Sequence, residues 1–126
     1  MKVFVVEDAV QVRKRLIALL QTVPGVTVVG EADSVAAAIA GVAATGADTV
    51  LLDLQLADGS GLDVLAAIKP QHPGLRVIVL SNLNSPQHQR ASYAHGADLF
   101  LDKSQEFRRV PEILRGWLAA AGGAAA

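Results

Sequence analysis

Polar side chains suited to metal and phosphoryl chemistry stand after four short apolar runs in this chain. In chain order they are Glu7 and Asp8 after Val3–Val6, Asp53 after Thr49–Leu52, Ser81 after Val77–Leu80, and Lys103, which follows Leu99–Leu101 and Asp102. Each run has the length and residue types of a buried strand. In an open parallel sheet, ligands bind outside the carboxyl ends of the strands, so we expect these side chains to meet in one crevice.

The carboxylates predict a bound cation, and the other groups predict phosphoryl transfer. Crowded carboxylates repel one another, and one takes up a proton unless a counter-ion is present. Mg²⁺ prefers oxygen ligands and would remove this conflict. Asp53, at the end of a central strand, would be a nucleophile toward phosphorus, while Lys103 and the Ser81 hydroxyl would bind phosphoryl oxygens. Taken singly, each residue is more often a helix cap or a solvated side chain, but the joint pattern favours a functional site.

Helix-like segments separate the strands, and this alternation predicts βαβ units with a parallel sheet. A further strand is predicted at Val26–Val29, and the first helix from about Ala9 to Thr22. Helix N-caps are predicted at Ser34, Ser60 and Ser85.

The last two helices have the least regular patterns. The fourth, from Pro86 to His95, is polar nearly throughout, so we expect it to dock weakly. The fifth carries apolar residues on one side from Phe107 to Leu118. Pro111 lies inside that span and predicts either a loose turn followed by a restart, or a kink.

Composition and charge narrow the class of protein. The chain has 126 residues, of which 52% are hydrophobic and 18% charged, as expected for one compact domain. The formal net charge of −1 gives no indication of a nucleic-acid or membrane surface. Cysteine is absent, which excludes disulfides and cysteine-ligated metal sites. No apolar stretch approaches the roughly 18 residues that span a bilayer, and Met1 leads directly into a strand, so we expect no signal peptide and a cytoplasmic location.

The chain resembles the receiver domains of two-component response regulators over essentially its whole length. The matching stretches are VFVVEDA, LLDLQLADGSGLDVL, VIVLSN and GADLFLDKS. This resemblance implies a flavodoxin-like, doubly wound α/β fold, with a five-stranded parallel sheet in the order 2-1-3-4-5 and five helices.

The resemblance also implies a role for each site residue. The implied Mg²⁺ ligands are Asp8, Asp53 and the backbone carbonyl of Gln55, with Glu7 acting through water. Asp53 is the implied phosphoacceptor, Lys103 pairs with the phosphoryl group, Ser81 is the switch hydroxyl and Phe100 the switch aromatic. For Phe100, a core strand residue is an equally good interpretation.

Three positions depart from the family pattern. Ala57 replaces a common proline in the loop after Asp53, and Ser104 replaces a common proline after Lys103. Asn82 follows Ser81 where a small residue is usual, and we expect it to narrow access to Asp53 and slow transfer.

We therefore predict a stand-alone receiver over residues 1–120, with a short flexible tail over 121–126. It is expected to accept a phosphoryl group on Asp53 from a sensor histidine kinase or a histidine phosphotransfer protein, catalysing only its own phosphorylation and dephosphorylation. No output segment follows the fifth helix, so we expect a downstream protein target unless the chain is part of a longer regulator. Phosphorylation-dependent dimerisation stays open. The basic run Arg13–Arg15 is typical of a solvated face, and its functional alternative is a docking edge for an acidic phosphodonor.

Two other functions stay open. One is a pseudo-receiver, a binding module that is never phosphorylated. The other is a phosphatase or phosphotransferase working through an aspartyl-phosphate. The haloacid-dehalogenase type of that class requires a second acid two residues after the nucleophile, where this chain has Gln55.

Overall fold

Five parallel strands form the central sheet of the protein. A computed structural model describes the backbone of residues 1–125 and the side chains of residues 1–121. Numbering only the strands of this sheet, they are β1 (Lys2–Val6), β2 (Thr27–Ala32), β3 (Thr49–Leu52), β4 (Arg76–Ser81) and β5 (Leu99–Asp102). Their order is 2-1-3-4-5 and every pairing is parallel, so the predicted flavodoxin-like topology is confirmed.

Helices connect the strands on both faces of the sheet. They are α1 (Val10–Leu20), α2 (Val35–Thr45), α3 (Gly61–Gln71), α4 (Pro86–Ala94), α5 (Lys103–Glu106) and α6 (Val110–Ala125). The three predicted N-caps are confirmed, because the side chains of Ser34, Ser60 and Ser85 each accept a hydrogen bond from a first-turn backbone N–H. Within the described part of the chain, no helix is long and apolar enough to cross a membrane.

The second strand extends further than its apolar run predicts. It ends at Ala32 rather than Val29, because Glu31 and Ala32 pair with Val5 and Val6 of β1. Strand pairing therefore extends this edge of the sheet to Ala32, which lies opposite Val6, the residue immediately before Glu7.

The predicted fifth helix is divided into three pieces. The short α5 is followed by a 3₁₀ turn at Phe107–Arg109, and α6 then begins at Val110. Pro111 is the second residue of α6, where a missing backbone N–H costs nothing, so the predicted restart is confirmed. The helix continues through residues 121–125 of the predicted tail, while Ala126 lies outside the described residues. The flexibility of that tail stays a prediction.

Two apolar clusters hold the layers together, one on each face of the sheet. One joins α2 and α3 to the sheet around Phe4, Leu52 and Leu65. The other joins α1 and α6 to the opposite face around Leu16, Leu51 and Leu114. All four residues of β3 are buried, so this strand is covered on both sides. In α4 the one buried side chain is that of Ser92, which agrees with the weak docking predicted for this helix.

A short antiparallel hairpin, Gln55–Leu56 paired with Gly59–Ser60, follows β3 and leads into α3. Gly61 closes this loop against β3, and its N–H donates to the Leu54 carbonyl at 2.9 Å. A Cβ atom at Gly61 would overlap the Asp53 carbonyl oxygen and lie 2.9 Å from the Leu54 Cα. The backbone after Asp53 therefore passes so close to α3 that only glycine fits.

Replacing Gly61 by alanine should destabilise the protein by roughly 1–3 kcal/mol, because both clashing atoms belong to backbone and cannot rotate away. Urea denaturation measures this change in the free energy of unfolding. Gly116→Ala is the matched control, since a Cβ there meets nothing within 4 Å and should stabilise α6 by up to about 1 kcal/mol. Equal stability of Gly61→Ala and the wild type would contradict the close approach.

Candidate functional site

Three carboxylates from two neighbouring strand ends meet at the carboxyl edge of the sheet. Oxygen atoms of Glu7, Asp8 and Asp53 all lie within 4.8 Å of one another. Glu7 and Asp53 are 2% and 4% exposed, whereas Asp8 is exposed. Strands β1 and β3 are adjacent with Val6 opposite Leu52, so the residues that follow them emerge side by side. The predicted convergence of the acids is found.

Lys103 extends into this acidic cluster from the far end of the chain. Its Nζ lies 2.7 Å from Asp53 Oδ2 and 2.5 Å from Glu7 Oε1, and the lysine side chain is 15% exposed. One ammonium therefore bridges two buried carboxylates that come from different strands. Removing one partner of such a group leaves uncompensated buried charge, which costs about 3–5 kcal/mol in other proteins.

Hydrogen bonds hold each polar atom of Glu7. Its backbone N–H donates to the Ala32 carbonyl of β2 at 3.0 Å, and its carbonyl accepts from Arg13 at 2.7 Å. Carboxylate oxygen Oε2 accepts the Ala9 N–H at 3.1 Å, while Oε1 contacts Lys103. Glu7 is thus fixed by four different parts of the fold.

Asp53 is fixed in a similar way at the end of β3. Its backbone N–H donates to the Val6 carbonyl at 3.0 Å. Its Oδ1 accepts the Gln55 N–H at 3.2 Å, and its Oδ2 accepts from Lys103. The backbone of Gln55 therefore borders the carboxylate, while a metal-binding role for its carbonyl stays a prediction.

Burial and opposite charge pull the pKa values of this cluster in different directions. Burial raises the pKa of Glu7 above 4.5 and the nearby Asp53 adds to this, against the lowering effect of its bonds to Lys103 and Ala9. Burial alone would lower the pKa of Lys103, but the hydrogen bonds and charges of Asp53 and Glu7 outweigh it and raise that pKa. The lysine therefore stays charged, and the buried glutamate holds its proton more tightly than in water.

The two predicted switch residues lie on β4 and β5. Ser81 is fully buried, its Oγ accepts the Leu83 N–H at 3.1 Å, and the strand register places it opposite Asp102. Phe100 is 9% exposed and packs in the apolar cluster of α2 and α3. Its backbone N–H donates to the Tyr93 hydroxyl of α4 at 3.0 Å. Position and packing are thus established for both residues, while their switching stays a prediction.

A cleft of about 390 Å³ opens beside Lys103. Its lining residues are Val12, Arg15, Asn82, Lys103, Ser104, Gln105, Phe107 and Arg108. Asn82 is exposed and lines this cleft together with Lys103, so it borders the lysine end of the cluster. Ser104 has a structural role, since its hydroxyl and N–H both donate to Asp102 Oδ1, at 2.7 Å and 2.9 Å.

Four residues bind the loops of the site together through contacts that sequence reasoning did not predict. Arg13 holds the Glu7 carbonyl, and Asp58 accepts the Val35 N–H at 2.6 Å, which ties the loop after Asp53 to α2. Asp102 caps α5 and also accepts from Asn84 of the loop after β4. The Ser104 bond, followed by that of Asn84, lowers the pKa of Asp102. Asp102 before a helix is a recognisable cap signal, whereas the partners of the others are distant in sequence.

The donor set fits Mg²⁺. Three carboxylates face one ammonium, so the cluster keeps an excess of negative charge, and all its side-chain ligands are hard oxygens. Asp8 is the exposed member and, among the described residues, has no salt-bridge partner. A hydrated cation would therefore approach the cluster from the side of Asp8.

In the metal-free protein, the stability of Glu7→Gln relative to the wild type should rise as the pH rises. Because the pKa of Glu7 is raised on folding, the folded state binds its proton more tightly, and stability falls as the pH rises from 4.5 through the raised value. The uncharged glutamine does not carry this cost. Urea denaturation in a chelating buffer, from about pH 4 to about pH 7, measures the difference.

Glu112→Gln, which removes an exposed carboxylate from α6, is the control for that series. It reports the effect of losing a negative charge away from the cluster. If the stability of Glu7→Gln relative to the wild type fell as the pH rose, burial would not be the dominant influence on the pKa of Glu7.

Comparison with known proteins places the chain in a family. Residues 3–115 match the model described as response regulator receiver domain. The chain is 37% identical over 102 residues to the DNA-binding transcriptional activator DevR/DosR of Mycobacterium tuberculosis, covering 81% of this chain and 47% of that protein. It is 33% identical over 113 residues to the nitrate/nitrite response regulator protein NarP of Escherichia coli, covering 90% and 51%.

A solved structure agrees with the sequence relatives. The signal receiver domain of the putative response regulator NarL from Mycobacterium tuberculosis superimposes with a TM-score of 0.83 at 30% identity, covering 97% of this chain and 96% of that one. The chain spans about half the length of DevR/DosR and of NarP. Family model, relatives and fold agree: this chain belongs to the response regulator receiver domains of two-component systems.

Proposed function

We propose that this receiver domain accepts a phosphoryl group on Asp53 in the presence of Mg²⁺ and thereby changes a protein-interaction surface. The observation that carries the proposal is the bridge from Lys103 to Asp53 and Glu7 inside a cluster of three carboxylates. A lone buried acid with a lysine partner would be a structural ion pair. The excess of carboxylates over ammonium groups instead favours a site that takes up positive charge.

The transfer step follows from the chemistry of Asp53. One carboxylate oxygen attacks the phosphorus of a phosphohistidine, forming an O–P bond while the N–P bond breaks. The electron pair of that bond returns to the imidazole nitrogen, which takes up a proton. Lys103 neutralises charge on the phosphoryl oxygens, and catalysis is otherwise positioning. Because Lys103 and Gln55 hold the Asp53 carboxylate from both oxygens, it is already oriented for attack.

The metal ligands of the proposal are Asp8, Asp53 and the Gln55 backbone carbonyl, with Glu7 acting through a water molecule. When bound, Mg²⁺ would offset the charge between these ligands and the phosphoryl oxygens. Glu7 is buried and already engaged by Lys103 and Ala9, which supports an indirect role for it. Asp8 is exposed, which supports a direct one.

Ser81 and Phe100 carry the proposed response. The Ser81 hydroxyl would exchange its Leu83 contact for a phosphoryl oxygen, since an acyl phosphate adds charge and strong acceptors. Phe100 would follow, and the face formed by α4, β5 and α6 would change. The bond from the Phe100 N–H to Tyr93 links this strand directly to α4, which supports a readout at that helix.

Partners follow from the same proposal. The donor is a sensor histidine kinase or a histidine phosphotransfer protein, and the output is a contact with a downstream protein, with dimerisation as one form. The net charge of −1 supports an output that does not bind nucleic acid directly. We further propose a cytoplasmic location, and a receiver that comprises residues 1–120 with a flexible tail over 121–126. DevR/DosR is described as DNA-binding, but this chain spans 47% of it, and that activity is not carried over.

Acetyl phosphate with Mg²⁺ should modify wild-type protein and leave Asp53→Asn unmodified, because an amide cannot form the acyl phosphate. A phosphate-affinity gel separates the two forms. Asp63→Asn, which changes an exposed carboxylate on α3, is the matched control and should shift like the wild type. An equal shift in Asp53→Asn would refute the acceptor, and no shift in any of the three proteins would favour a pseudo-receiver.

Asn82→Ala should be phosphorylated several-fold faster than the wild type by a small donor. The shorter side chain widens the approach past Lys103, where Asn82 lines the cleft. Initial rates with acetyl phosphate measure the effect. Gln87→Ala, an exposed change on α4, is the control. Unchanged rates in Asn82→Ala would remove the idea that this residue restricts access.

A further inference from the structure

Arg13 joins three elements that surround the acidic cluster. It belongs to the first turns of α1, and its Nη1 donates to the Glu7 carbonyl at 2.7 Å. Its Nε donates to Glu31 Oε1 on β2 at 2.8 Å. The arginine side chain is 15% exposed, whereas the Glu31 side chain is 51% exposed. A side chain on the helix thus fastens the end of β1 to the neighbouring strand.

The bond to the Glu7 carbonyl acts on Asp8. That carbonyl belongs to the peptide unit that joins Glu7 to Asp8, and a peptide unit is planar and rigid. Fixing its oxygen therefore fixes the orientation of the Asp8 N–H and Cα. The Asp8 side chain itself is exposed and, within the described part of the chain, forms no salt bridge. Its placement rests on the backbone that Arg13 holds.

The start of α1 has little else to hold this loop. The N-cap residue is Ala9, which offers no side-chain cap, and the first turn carries no acidic residue. The Ala9 N–H is instead satisfied by the Glu7 carboxylate. Loss of the guanidinium would remove the hydrogen bond that fixes the carbonyl of the Glu7–Asp8 peptide unit.

We propose that Arg13 is a positioning residue for divalent-cation binding, which sets the Glu7–Asp8 peptide so that the Asp8 carboxylate faces Asp53. This inference rests on the proposed function, because it concerns the same Mg²⁺ site. Glu31 completes the arrangement: it neutralises Arg13, so a cation near Asp8 is not repelled by an unpaired guanidinium. The planar fork of arginine serves both partners at once, which a lysine cannot do.

Magnesium affinity distinguishes this role from simple electrostatics. Removing a positive charge near a cation site should tighten binding of Mg²⁺, whereas loss of positioning should weaken it. We expect Arg13→Ala to raise the Mg²⁺ dissociation constant roughly tenfold, as for other residues that orient metal ligands. Lys14→Ala removes the same charge from the next, exposed position of α1 and should bind as tightly as the wild type or slightly more tightly.

Two further variants separate charge from geometry. The double variant Arg13→Ala with Glu31→Ala keeps the net charge of the wild type and should still bind weakly. Arg13→Lys keeps the charge and one hydrogen bond and should recover part of the affinity, and it keeps the test decisive if Arg13→Ala fails to fold. Isothermal titration of the full chain with MgCl₂ gives each dissociation constant, and urea denaturation in a chelating buffer gives each metal-free stability.

The measured Mg²⁺ affinities and stabilities distinguish a positioning role of Arg13 from a purely structural one. Weaker Mg²⁺ binding in Arg13→Ala and in the double variant, with Lys14→Ala unaffected, supports the proposal. If folded Arg13→Ala, or Arg13→Lys in its place, binds Mg²⁺ like the wild type and loses only metal-free stability, Arg13 is structural and the proposal is overturned. Absence of Mg²⁺ binding in the wild type overturns the proposed metal site itself and this inference with it.

Discussion

The ammonium of Lys103 between two buried carboxylates is the interaction on which the site depends. Glu7 and Asp53 are almost fully enclosed, and without Lys103 their charges would repel each other in a poorly solvated crevice. A single lysine cannot neutralise three acids, and the negative charge that remains is the basis of the proposed cation site. The same constraint explains the raised pKa of Glu7, since its burial is only partly offset.

The acidic side chains of this cluster are positioned by bonds between the loops as well as by the sheet. Each loop at the carboxyl edge is bound to another element: the β1–α1 loop through Arg13, the loop after Asp53 through Asp58, and the loop after β4 through Asn84 and Asp102. Gly61 adds close packing of α3 against the Asp53 backbone. The acidic residues therefore lie on backbone held from several directions, as a site built for positioning requires.

The three departures from the family pattern differ in their structural consequences. Ser104 replaces a proline but supplies two hydrogen bonds to Asp102, so the first turn of α5 remains fixed by different means. The Ala57 N–H donates a long 3.4 Å bond to the Asp33 carbonyl, a contact that proline could not make. Asn82 and Ser104 both line the cleft beside Lys103, but the Ser104 side chain is bonded to Asp102, so Asn82 is the departure expected to affect access to the cleft.

Reasoning from the amino-acid sequence correctly predicted the alternation of strands and helices, the serine caps and the convergence of Asp8, Asp53 and Lys103, and family resemblance supplied the sheet order. These follow from local periodicity and from the rule that parallel strands present their carboxyl ends at one edge. The extension of β2 to Ala32 and the bond from Arg13 to the Glu7 carbonyl become visible only in the folded protein. Pairing across strands and bonds between distant residues leave no periodic mark in the chain, because their partners are chosen by packing in three dimensions.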